Sequence, residues 1–468
     1  MNQLYENQSV RKGDACFTEL HFRNIRPPQE KKKMRSTRDK GKMSTVEMQI
    51  AERSRRYPGE ALTNLQQFID EEFLEECLSI LNKQSASGVD GQSWKAYNEE
   101  RKERIPELLK GFKSGSYRAP NIRRVYIPKG DGKQRPLGIP TIEDKVLQTT
   151  VSKILMPVYE GIFYEGSYGF RPGKSQHQAL EELFKEVSFQ GKRYIIDADM
   201  ENYFGSISHQ CLREFLDRKI KDGVIRKMID KWLKAGVLED DQVRYPTEGT
   251  PQGGSISPLL SNIYLHYVLD EWFKEEIQPL LKGKSFLIRF ADDFLLGFTN
   301  GEDARRVMEV LPKRLGKYNL KLHPEKTKLL ELDGTQEGKR GFDFLGFTHY
   351  MGKSMKGTSI LKRKTSGKKF RASIKRMNEW LKFNRHGRLE HVIAELNLKL
   401  RGHYQYYGIT FNARKLDCYY EAVKRLLYKW SNRCGGPKLS WKRFLLRVQV
   451  WSPLLTPRIY HCYVLAKP

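Results

Sequence analysis

The chain has 468 residues, a net charge of +28, and 39% hydrophobic and 11% aromatic content. That length allows two to four globular units, the composition excludes a disordered chain, and no run approaches the roughly 20 apolar residues of a membrane span. Residues 351–468 carry 27 Lys and Arg against 5 Asp and Glu, whereas residues 57–350 hold 43 against 44, so the footprint of a phosphate-backbone binder lies in the C-terminal quarter.

Residues 1–10 lack a basic segment followed by an apolar run, which predicts no signal peptide and points to the bacterial cytoplasm. Residues 1–56, with Lys31, Lys32, Lys33, Arg35, Arg38, Lys40 and Lys42, read as a flexible basic arm. Apolar residues at helical spacing predict one helix over 62–81. Two strands around Gly130-Asp131-Gly132 predict a basic hairpin over 123–140. Helices are expected over 175–189, from a Ser206 cap to about 220, and over 257–277, with a strand at 193–198. The runs SFLIRF and FLLGF flank Ala291-Asp292-Asp293 as a hairpin with carboxylates at its tip, giving an α+β fold. Beyond Lys353 the pattern is almost wholly helical, with one stripe through Leu416, Tyr419, Val423, Leu427 and Trp430. The six cysteines contain no C-x-x-C pair, which argues against a zinc ribbon or disulfide framework and for buried free thiols.

An Asp-Asp pair between strands is usually a solvated turn, but here Asp197 and Asp199 end a neighbouring apolar strand. Nucleotide transfer by the two-metal route needs such carboxylates to hold two divalent cations, Mg²⁺ or its substitute Mn²⁺. Asp197 and Asp199 face the same side of an extended strand, so spacing alone does not choose between them. A triphosphate needs donors that are not metal-bound, and Lys129 and Arg135 flank a suitable glycine turn. Gly249-Thr250-Pro251-Gln252-Gly253-Gly254 combines backbone freedom with one amide, which suits Gln252 to a nucleotide.

The segments IPKGDGKQRPLGIP (127–140), DMENYF (199–204), TPQGG (250–254), FADD (290–293) and LHPEKTK (322–328) resemble, in order, the motifs of reverse transcriptases. The resemblance implies a right-hand polymerase, with fingers and palm built on an antiparallel sheet over 57–350 and a helical thumb over 351–468. It selects Asp199 over Asp197, because the family's acid precedes an aromatic by five residues, here Phe204. Asp199, Asp292 and Asp293 are then the catalytic and metal-binding acids. Lys129, Arg135, Phe204, Gln252 and Lys326 are then nucleotide-binding. Phe204 is implied to exclude the ribose 2′-hydroxyl, favouring dNTPs, and Lys326 to serve near the pyrophosphate. Phe344, Leu345 and Gly346 match the element that positions the primer. Gly205 stands where many members carry a further acid.

RGHYQYYG (401–408) and the helix after it resemble the thumb and maturase region of group II intron reverse transcriptases, as do RPLGIPTIEDKVLQ and GSYGFRPGKSQHQAL. This narrower resemblance implies copying of intron RNA from a DNA primer, binding of structured group II intron RNA to assist splicing, and contact with target DNA, for which residues 438–458 are a candidate. No paired-cysteine H-N-H endonuclease pattern follows Cys434. An RNA-copying RNA polymerase would use the same acids, but Phe204 argues against it. A reverse transcriptase domesticated for defence or repair, or a maturase that does not need its polymerase, are the alternatives.

Overall fold

The computed structural model describes residues 45–57, 59–128, 134–239, 242–332, 341–434, 437–451 and 453–463. The expected arm lies outside these residues up to position 44. Its last part is instead ordered. Helix α1 (Thr45–Arg56) buries Ile50 and Ala51 against α5 below. Val46, Ile50 and Ala51 are its core-facing aliphatic residues, too short a stripe to stand out among charged neighbours.

The single helix expected over 62–81 is broken. A 3₁₀ turn at Leu65–Phe68 precedes α2 (Glu71–Ile80), whose N-terminus is capped by Asp70 accepting from the Phe73 amide at 2.8 Å. An Asp at that position satisfies an orphan donor better than it continues a helix. Next come α3 (Trp94–Glu99), α4 (Arg101–Ser114) and the hairpin β1 (Ile122–Pro128) and β2 (Gln134–Ile139). Lys129 falls in its turn, outside the described residues.

Helix α5 (Ile142–Glu160) runs through the main core, followed by α6 (Gln176–Ser188) and β3 (Tyr194–Ala198). Ser208, not Ser206, caps α7 (His209–Asp217), and Asp222 caps α8 (Gly223–Leu233). Strands β4 (Val237–Glu239) and β5 (Gln242–Arg244) extend the fingers sheet in the order β2-β1-β4-β5. The helix expected to 277 is α-helical only through α9 (Ser257–Leu265), then widens into π turns at His266–Asp270 and Trp272–Ile277.

Strands β6 (Ser285–Phe290) and β7 (Asp293–Phe298), helix α10 (Gly301–Gly316) and β8 (Lys328–Glu331) complete the palm, an antiparallel sheet ordered β6-β7-β3-β8. Because strand side chains alternate, both faces are buried. Ile196, Leu287, Phe294 and Leu296 enter the main core, while Ile195, Phe286, Ile288 and Leu295 join a second core with α6.

A third sheet, β11-β10-β9, follows: β9 (Gly341–Phe344), β10 (Phe347–Lys353) and β11 (Ser359–Thr365). The boundary expected at 350/351 therefore falls inside β10, and the chain is not wholly helical after Lys353. Strand β11 escaped notice because Arg363 occupies an inward position between Leu361 and Thr365, so its alternation looks like a basic run. Helices α11 (Gly367–Phe383), α12 (Leu389–Tyr407), α13 (Ala413–Ser431) and α14 (Trp441–Trp451) enclose a third core of Leu396, Leu400, Leu416, Val423, Leu427 and Phe444. No described helix is long and apolar enough to cross a membrane. Of the described cysteines only Cys77 is buried, whereas Cys418, Cys434 and Cys462 are exposed, contrary to expectation.

Candidate active site

The palm hairpin pairs Phe290 with Asp293 and turns through Ala291 and Asp292. Ala291 has φ +59°, a left-handed conformation uncommon for a residue with a Cβ. On the other side, β3 pairs Asp197 with Leu295 and Ala198 with Phe294, so the next position sets Asp199 beside Asp293. Cross-strand partners and alternate residues share a face, which gathers Asp197, Asp199 and Asp293 on one side of the sheet edge.

The electrostatics record that crowding. Burial raises the Asp292 carboxyl above its ordinary range; Asp199 raises it further, while Arg135 and Arg289 oppose the shift. Burial likewise raises Asp293 well above the usual value, helped by Asp197, Asp292 and Asp199. Asp197 is pushed up to about 7 by burial, then by Asp199 and Asp343, against the pull of Lys328. Clustered carboxylates that resist ionising together are the arrangement a divalent cation relieves.

Lys326 forms an ion pair with Asp199. It arrives there because residues 321–323 run beside 199–201: the His323 amide donates to the Asp199 carbonyl at 2.8 Å and the Glu201 amide to the Lys321 carbonyl at 2.9 Å. With its ammonium on Asp199, no three described Asp, Glu, His or Cys side chains stand at metal-holding distances from one another. The donor chemistry nevertheless fits: three carboxylates on adjacent strand ends are the hard oxygen ligands that Mg²⁺ and Mn²⁺ take.

The fingers hairpin reaches this cluster, since the Arg135 charge acts on Asp292. Its neighbour Gly138 donates its amide to the Gln252 carbonyl at 2.6 Å. Gly253 has φ +117°, and a Cβ there would stand 2.4 Å from the Gly138 carbonyl oxygen, so only glycine lets loop and hairpin close together. Gln252 Oε1 and Thr250 Oγ1 are buried without a hydrogen-bond partner, a cost normally avoided unless a ligand supplies the partner.

The Phe204 carbonyl accepts from the Thr250 amide at 2.8 Å, and its half-buried ring packs on Tyr203, 5.3 Å between centroids. A Cβ at Gly205 would sit 2.4 Å from Asn202 Nδ2, so a side chain at this position would require the Asn202 amide to move aside.

Of the primer-positioning set, Phe344 is buried, and it is the backbone of the half-buried Leu345 (φ +48°) and Gly346 (φ +82°) that forms the turn. The Tyr406 hydroxyl on α12 donates to the Leu345 carbonyl at 2.9 Å, and the Ser366 amide donates to Gly346 at 3.0 Å. His177 Nε2 hydrogen-bonds the Tyr406 carbonyl at 2.8 Å. Burial, then Tyr407 and Asp293, raise the Tyr406 phenol to about 12, so this turn lies within electrostatic range of the acids.

Sequence reasoning did not find Tyr406, nor the polar cluster beneath the carboxylate hairpin: Arg289, Asp270 and Asn262, all buried. An arginine inside the apolar run SFLIRF was the available signal. On α11 the side chains of Lys368, Lys369, Arg371, Lys375, Arg376 and Lys382 are exposed.

A family model described as reverse transcriptase (RNA-dependent DNA polymerase) matches residues 127–349. Group II intron-encoded protein LtrA of Lactococcus lactis subsp. cremoris is 42% identical over 183 residues, covering 39% of this chain and 30% of LtrA. Protein YkfC of Escherichia coli K12 is 33% identical over 298 residues, covering 55% of this chain and 74% of YkfC. Nuclear intron maturase 2, mitochondrial, of Arabidopsis thaliana is 24% identical over 180 residues, covering 30% of this chain and 24% of that protein. The chain thus spans less than a third of LtrA, but most of YkfC.

Proposed function

The chain belongs to the group II intron reverse transcriptase and maturase family, and from that membership we propose that it is an RNA-directed DNA polymerase that copies intron RNA and binds it to assist splicing. The observation that carries this reading is the convergence of Asp199, Asp292 and Asp293 with Arg135 and the Gln252 loop at one sheet edge.

Asp199, Asp292 and Asp293 would hold two divalent ions, Mg²⁺ or Mn²⁺. Such ions, when bound, lower the pKa of the primer 3′-hydroxyl and stabilise the departing pyrophosphate. Arg135 offers the planar fork that grips a triphosphate, and Lys129 on the same hairpin adds a point charge. The unpartnered Gln252 amide orients the incoming nucleotide. Phe204, whose carbonyl accepts from the Thr250 amide of that loop, would serve as the gate whose ring excludes a ribose 2′-hydroxyl and selects dNTPs.

Lys326 has two successive partners in this scheme. Lys326, ion-paired with Asp199, would exchange that partner for the pyrophosphate when Asp199 holds a divalent ion, and its Nζ would donate a proton to the leaving oxygen. The Leu345–Gly346 turn presents backbone to the primer end. Exposed cations along α11 and the remaining charge of residues 351–468 bind the phosphates of structured intron RNA, and the RNA itself carries the splicing chemistry. Contact with target DNA and mobility of the intron belong to the same proposal.

The test is extension of a DNA primer on an RNA template by the full chain, with Mg²⁺ or with chelator. Metal-dependent incorporation of dNTPs is expected. Absence of extension, or equal use of rNTPs, overturns the polymerase reading.

A further inference from the structure

Beneath the Ala291-Asp292 turn lies a buried network of hydrogen bonds centred on Arg289. The Arg289 guanidinium is fully buried; its Nε and Nη2 donate to Asp270 at 2.8 and 2.5 Å, and Nη1 donates to Asn262 Oδ1 at 2.9 Å and to the Ala291 carbonyl at 3.1 Å. Asn262 Nδ2 donates in turn to the Gly169 carbonyl at 2.7 Å. Gly169 presses so closely on the turn that a Cβ there would stand 2.3 Å from the Ala291 amide nitrogen. The network thus meets Ala291 twice, by a hydrogen bond to its carbonyl and by the packing of Gly169 against its amide, and Ala291 is the left-handed residue from which both following carboxylates leave.

Stability alone does not account for this cluster. A fully buried ion pair is often no better than well-packed apolar side chains of the same volume, because desolvation offsets the attraction. What apolar side chains lack is direction. Four donor bonds from one planar group fix Arg289, and through it the Ala291 carbonyl, in a single orientation. Asp270 ends a π-wound turn, a helical distortion that recurs at functional sites.

We propose that Arg289, Asp270 and Asn262 are positioning residues that aim the Asp292 and Asp293 carboxylates at the divalent ions. None of the three touches the reacting atoms. The proposal rests on the polymerase reading above, since it concerns how the acids of that reaction are held.

The experiment compares the full-length protein with a double variant, Arg289→Met with Asp270→Leu, and with Asn262→Ala, which leaves the ion pair in place. Three readouts are thermal melting, Mn²⁺ binding to the primer–template complex by electron paramagnetic resonance, and extension rate across a Mg²⁺ titration. The expected result for folded variants is Mn²⁺ affinity lowered about tenfold. Extension is expected to slow by about 100-fold, with partial recovery at high Mg²⁺. If the double variant does not fold, Asn262→Ala carries the same expectation in direction. A folded variant with unchanged Mn²⁺ affinity overturns the proposal, whether or not its rate falls. Wild-type protein that binds Mn²⁺ yet extends no primer would instead overturn the polymerase reading, leaving this one standing on the affinities.

Discussion

Asp197 offers a test of the acid cluster that needs no substrate. Its carboxyl is raised from the ordinary 3.8 to about 7 by burial and by Asp199 and Asp343. A folded-state pKa above the unfolded one means that the folded protein holds the proton more tightly. Stability is therefore lost as pH rises from about 4 to about 7, and stays low above that. The full difference corresponds to about 4 kcal/mol. Water in an open cleft screens much of it, leaving a penalty of about 1–2 kcal/mol. Asp197→Asn removes the penalty while keeping the shape. In metal-free protein at pH 8 the variant should be more stable by that amount, a Tm increase of about 1–2 °C for a chain of this length. At pH 4 the two proteins should melt together. The assay is thermal or urea unfolding in chelator, with wild type and variant paired at each pH so that other titrating groups cancel. A variant less stable than wild type at pH 8, or an effect independent of pH, would refute the reasoning.

Asp292→Ala should abolish primer extension while leaving RNA affinity within about twofold, because the phosphate-binding charge lies mainly beyond residue 350; parallel loss of both in binding and extension assays would dismiss that division. Phe204→Ala should admit rNTPs, read as a fall in the ratio of kcat/KM for dNTP over rNTP, and an unchanged ratio removes the gate assignment. Gly253→Ala combines a φ of +117° with a Cβ placed 2.4 Å from the Gly138 carbonyl. Strain of about 1–3 kcal/mol should appear in melting, together with slower extension as the Gln252 loop parts from the hairpin.

The acid cluster was readable because much of its information is local: two apolar strands with a two-residue tip carry Asp292 and Asp293, and a neighbouring strand brings Asp197 and Asp199 alongside, while the choice of Asp199 came from the family resemblance. Likewise the fingers hairpin shows in its alternating strands and glycine turn. What escaped notice depends on partners distant in sequence. Arg289 ties its own hairpin turn at Ala291 to Asn262 and Asp270, 27 and 19 residues earlier on the preceding helix, and no spacing rule announces a buried arginine as their organiser. Strand β11 was hidden by Arg363, whose guanidinium is met by the Leu180 carbonyl and by Tyr463, partners 183 positions earlier and one hundred positions later. The break before α2 turned on a single capping aspartate, which apolar periodicity does not weigh.

The β9–β10 turn has a consequence for how such proteins can be recombined. Its Leu345 carbonyl is held by Tyr406 and its Gly346 carbonyl by Ser366, so helices assigned to RNA grip supply the clamps of the primer turn. A chimaera joined at residue 350 would cut through β10 and couple the turn of one parent to the clamps of another. Exchange of RNA specificity between relatives should succeed only when residues 341–366 travel with the helices that follow, which makes the three-stranded sheet the portable end of the catalytic half.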